Sequence, residues 1–159
     1  MKKGEVPAPD LKRWTEEGRL TIIDVADILG VPPDIYTSDP LNLTPARQSY
    51  TTRLPFHEFE QSDWITFQTD LMAYVADFFI QRHGAKRVVI NDSTTPLGYR
   101  YAIEATGRDG RVRTADPAEI LREELKNSPI EIVRMPASAE LTLHLTRQVN
   151  EEGPANPRD

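Results

Sequence analysis

Side chains that could do chemistry fall into three groups. His57 stands beside Glu58 in the string FHEFE, a His–carboxylate pair suited to general acid–base work. Asp92 and Ser93 open a polar loop after an apolar run. Loops held by a rigid scaffold often carry function, but Asp, Ser and Thr are also what turns use, so a turn competes with a ligand site there. The third group is cationic: Arg82, Lys86, Arg87, Arg100, Arg108, Arg111 and Arg113. Residues 82–113 hold seven basic and three acidic side chains, against seven and thirteen in residues 1–81 and five and nine in residues 114–159. Arginine donates in pairs to carboxylate or phosphate, so this basic island is the main binding feature. Its alternative is a charged sheet edge that discourages aggregation.

Several chemistries are disfavoured. The histidines at 57, 83 and 144 are not at metal-binding spacing, and there is no HExxH string or phosphate-cradling glycine loop. No nucleophile-elbow motif supports a Ser–His–Asp triad. Cysteine is absent, which removes disulfides, thiolate metal sites and cysteine nucleophiles. No metal and no cofactor is expected. The net charge of −6 argues weakly against bulk nucleic-acid affinity. The string VADILGVPPDIY resembles the first helix and turn of helix-turn-helix regulators. Yet no Lys or Arg occurs between residues 20 and 46, whereas Asp24, Asp27, Asp34 and Asp39 do, and Pro40 cuts the would-be recognition helix short. Base-reading helices need cations nearby for phosphate, so a structural helical pair is the better reading.

The elements that must position these groups centre on residues 63–83. Trp64, Phe67, Leu71, Met72, Tyr74, Val75, Phe78 and Phe79 fall on one half of a helix, with Thr66, Thr69, Asp70, Asp77 and Gln81 on the other. Ser62 is the expected N-cap and Gly84 the left-handed stop. The apolar arc is wider than one sheet would cover, so the helix should touch a sheet and a second layer, either the N-terminal third of the chain or a second copy. Residues 11–18 and 21–29 read as two short helices, the second stopped by Gly30. Residues 31–53 read as an extended wrap anchored by Tyr36, Leu41, Leu43 and Tyr50, and residues 54–59 as a short strand or a staple before the long helix.

After the helix the period changes to two. Residues 87–91 read as a strand buried on both faces, 99–106 and 111–114 as a hairpin closed by the turn at 107–110. Arg111 and Arg113 share a face, which is Arg100's face if the register allows. Asp116-Pro117-Ala118-Glu119 is a helix start with a capping box. Residues 130–135 and 140–148 read as strands, although Leu141, Leu145 and Val149 also fit a helix face.

The expected fold is α+β: a mostly antiparallel sheet of about five strands, in the order α-β-β-β-α-β-β, packed on one long amphipathic helix behind a helical and extended N-terminal third. Over residues 62–148 this order is similar to that of small secretion-chaperone-like domains. Residues 11–149 form one domain, divided into 11–60 and 61–149, between disordered ends at 1–10 and 150–159. No apolar run has membrane length, and the first fourteen residues lack the apolar core of a secretory signal, so a cytoplasmic protein is expected. The leading functional reading is a non-catalytic protein-interaction module, an adaptor, chaperone-like or inhibitor-type domain. It binds an acidic protein partner through the basic hairpin, and a homodimer is expected. The alternatives are a nucleic-acid-associated regulator and a small enzyme with a site near His57, Glu58, Asp92 and Ser93.

Overall fold

The computed structural model describes residues 11–145. Its helices are α1 (Leu11–Ile28), α2 (Pro33–Ser38), α3 (Thr44–Thr52), α4 (Gln61–His83), α5 (Pro117–Leu125) and α6 (Arg134–Thr142). Its strands are β1 (Lys86–Asn91), β2 (Tyr99–Thr106) and β3 (Val112–Ala115), and short 3-10 turns lie at Pro40–Leu43 and Phe56–Glu58. The class is α+β, but the sheet is a three-stranded antiparallel meander in the order β1-β2-β3, rather than the five strands expected. No described helix is long and apolar enough to cross a membrane.

Helix α4 is the axis of the core. Leu71, Tyr74, Val75, Phe78 and Phe79 are essentially inaccessible to solvent. Its start lies two residues before the expected one: Glu60, not Ser62, is the N-cap, and the Asp63 carboxylate accepts the Glu60 N–H at 2.9 Å. Phe59 just outside the cap packs edge-on against Trp64, ring centroids 5.0 Å apart, which makes residues 54–59 a hydrophobic staple and not a strand. Gly84 closes the helix in the left-handed region at φ 64°.

The second layer is the chain's own N-terminal third. Asp77, assigned to the polar half of α4, is fully buried. It accepts from Arg19 of α1 at 3.1 Å and from Tyr36 of α2 at 2.6 Å, and also from Gln81. One buried carboxylate thus ties three helices, and a charge so placed persists only with such partners.

Two further expectations are corrected. Residues 11–18 and 21–29 form one helix that runs through Gly18. Residues 31–53 are helical, because Pro33, Pro40 and Pro45 each occupy the first turn of a short helix, where a missing N–H costs nothing. Of the four expected anchors, Tyr36 and Leu43 are buried and Leu41 packs against the core, but Tyr50 is exposed.

The register pairs Arg87 with Ile103, Val89 with Tyr101, and Ile103 with Ala115. Residues directly opposite share a face, so Arg87, Ile103 and Ala115 form one row. Arg113 opposes Ala105 on that same face, hence opposite to Arg100. Strand β1 is not buried on both faces: Val88, Val89 and Ile90 are half-buried.

Neither C-terminal strand is present among the described residues. Around residues 130–132 the backbone is satisfied by side chains instead of a ladder. The Gln48 amide donates to the Ile130 carbonyl at 3.0 Å and accepts the Ile132 N–H at 2.7 Å, while Glu124 accepts the Glu131 N–H at 3.1 Å. Helix α6 then buries Met135 and Ala139, leaves Leu141 exposed, and ends before the buried Leu143. Residues 1–10 and 146–159, which include the end of the expected 140–148 strand and Val149, lie outside the described residues.

Candidate functional site

A cavity of about 740 Å³ lies between α1, α4, the sheet and the start of α5. That is the size of a small-ligand pocket. Met72, Ala73 and Ala76 of α4 form an apolar wall, and Trp14 and Gly18 of α1 form another. Arg87 and Tyr101 come from one sheet face, diagonal neighbours two residues apart across the β1–β2 register.

Arg87 is the unusual group. It is only 6% exposed, yet its Nε and Nη2 have no hydrogen-bond partner among the described residues. Its guanidinium carbon lies 3.7 Å from the Trp14 ring centroid, and Trp14 in turn stacks on Tyr101 at 3.6 Å. The cation–π contact offsets part of the cost of burial, but it does not satisfy N–H donors. Burial pushes the Arg87 pKa down to about 10, against the opposing pull of Asp77. Nε and Nη2 share one edge of the guanidinium plane, the edge that takes a carboxylate or phosphate side-on. Gly18 explains how the group reaches this place: a Cβ there would stand 2.5 Å from Nη2. Arg47 is also buried with an unpaired Nε, but it does not line the cavity.

The mouth is differently built. Arg100 bridges Asp92, at 3.2 Å, and Asp116. Hydrogen bonds from the Thr94 hydroxyl and N–H, with Arg100 nearby, hold the Asp92 carboxyl below the usual range. Asp116 also accepts the Ala118 N–H at 2.8 Å, so the α5 start is already capped. Glu119 lines the cavity and makes no bond to complete the expected capping box.

The other predicted site residues are dispersed. Asp92 lines the cavity; Ser93, His57 and Glu58 do not. His57 and Glu58 form an exposed pair 3.7 Å apart. Of the basic island, Lys86 pairs with Glu104, Arg82 with Asp39, and Arg113 with Asp109 through two bonds of 2.9 and 2.6 Å. Within the island, Arg108, Arg111 and the buried Arg87 make no ion pair with a carboxylate among the described residues. No three His, Asp or Glu side chains among the described residues group as a metal would need.

Trp14 and Gly18 were not singled out as site residues from sequence. The available signal was Gly18 inside an otherwise helical run. No family model, curated protein or solved structure matches the chain.

Proposed function

We propose that the protein is a non-catalytic binding module that takes up an acidic group of its partner in the cavity, at Arg87. The observation that carries this reading is a buried guanidinium lining a ligand-sized cavity with its bidentate edge unpaired. Leaving such donors unsatisfied costs each about 1–3 kcal/mol or more, and an oxyanion would recover it. The rest of the basic island supports the reading by contrast, since four of its cations are neutralised by neighbouring carboxylates.

Thermal unfolding in acetate, sulfate or phosphate against chloride at matched ionic strength tests it. An oxyanion at ten times its Kd adds about 1.4 kcal/mol, or roughly 3–6 °C for a domain of this size. Arg87→Met is expected to lose that response while unfolding at or above the wild-type temperature without anion, because replacing a buried unpaired charge by an apolar chain is neutral or stabilising. An equal response in Arg87→Met rejects the site.

A second reading keeps the hairpin as the acidic partner's surface. It is favoured by Arg108 and Arg111 at the turn beside Val112, which is 59% exposed. Charge reversal of both arginines should then abolish partner binding and leave the anion response of the cavity intact.

A further inference from the structure

We propose that the outer edge of β1 takes a second copy of this chain, which adds its own β1 antiparallel about a twofold axis at Val89. This interface does not depend on the anion site. A strand has two edges, and β1 meets β2 along one of them only. Along the other, no backbone hydrogen bond from any other described element reaches residues 86–91. Alternate N–H and C=O groups there point outward in a row. Another strand is the partner that matches such a row group for group.

The two free edges of the sheet are built differently. Strand β3 is four residues long, and Arg111 and Arg113 stand along it. A short, charged edge resists pairing. Strand β1 has six residues, with Val88, Val89 and Ile90 at its centre and neither proline nor a break in its register with β2. All three apolar residues are half-buried although they alternate between the faces, so solvent reaches the strand from both sides of the sheet. Its two cations do not guard the edge. Arg87 is buried against Trp14, and Lys86 is paired with Glu104 of β2 at 3.4 Å.

The strand's own sequence selects the occupant. KRVVIN is cationic at its start and neutral at its end. A copy added in parallel would set Lys86 beside Lys86 and Arg87 beside Arg87. An antiparallel copy centred on Val89 sets Val88 against Ile90, Arg87 against Asn91 and Lys86 against Asp92, each contact repeated by the symmetry. Apolar groups then meet apolar groups, and each cation meets an amide or a carboxylate. The pairing closes on itself, joins the two three-stranded sheets into one, and leaves only the charged β3 edges outside.

The chain contains no cysteine, so a single one introduced reports its own neighbour. Facing Cα atoms in an antiparallel pair are about 4.5 or 5.5 Å apart, within reach of a disulfide. Full-length Val89→Cys should therefore give a disulfide-linked dimer under mild oxidation. Val112→Cys, on the β3 edge and 59% exposed, should not. Sedimentation equilibrium of the wild type should give twice the chain mass of 18.0 kDa. Val88→Lys with Ile90→Lys sets lysine against lysine and should abolish the dimer, as should Val88→Glu with Ile90→Glu. Mixing the two double variants should restore it. Should the charged variants not fold, the nearly isosteric Val89→Cys carries the test. A wild type that stays monomeric to millimolar concentration overturns the interface. A dimer that survives in both charged variants, or one in which Val112→Cys cross-links and Val89→Cys does not, overturns it as well by placing the contact elsewhere.

Discussion

At the residue scale the molecule turns on where its ionisable groups are buried. Arg87 was legible as a cation but not as a buried one, because the strand pattern RVVIN gives no sign of which cations a helix will cover. The same holds for Asp77, whose polar character placed it on the solvent half of α4 although it became the shared acceptor of three helices. Burial and that carboxylate push the Tyr36 hydroxyl well above its usual range, so it stays a donor at any physiological pH. His83 is the residue through which pH should act. Desolvation holds its pKa below 6.5, with Glu140 at 3.8 Å opposing and Arg82 assisting. In the window just below pH 6.5 the unfolded chain therefore binds more protons than the folded one, and stability falls as pH falls. His83→Phe, which keeps the ring against Phe79, should flatten the unfolding temperature between pH 7 and pH 5. An unchanged slope would place the sensitivity elsewhere.

At the element scale the strongest sequence signals held. The long helix, the meander around its Gly107–Gly110 turn, and the Asp116-Pro117 start are all present. The errors share a cause, which is that a residue type with two uses was read by its commoner one. Prolines between residues 32 and 45 were read as breaks but open helices. The alternation in 130–135 and 140–148 was read as strand, though the first segment finds its partners in Gln48 and Glu124. The first short helix was bounded at Gly18, yet α1 passes through it and a guanidinium approaches there. That yields a prediction proper to the helix. Alanine normally gains about 1 kcal/mol over glycine at mid-helix. Gly18→Ala should lose that gain in the wild type and recover it beside Arg87→Met, a coupling of about 1 kcal/mol in a denaturation cycle. Additive effects would show that Gly18 does not accommodate Arg87.

Across the whole molecule, the ends of the chain are fastened through its middle. Gln48→Ala removes both bonds to residues 130–132 and should cost about 1–3 kcal/mol. Amide hydrogen exchange at Ile132 should accelerate with it; full protection in the variant would mean that other groups hold the segment. The two bonds join residues 82 and 84 positions apart in the chain. This has a consequence for biosynthesis. As the polypeptide leaves the ribosome, α3 is extruded early, but the backbone it must clasp is translated more than eighty residues later. At about 5–20 residues per second, α3 waits several seconds with both bonds to that backbone unmade and the nearby apolar surface uncovered. Guarding that interval falls to whatever attends nascent chains, and a message truncated before codon 130 would yield a product that never leaves it.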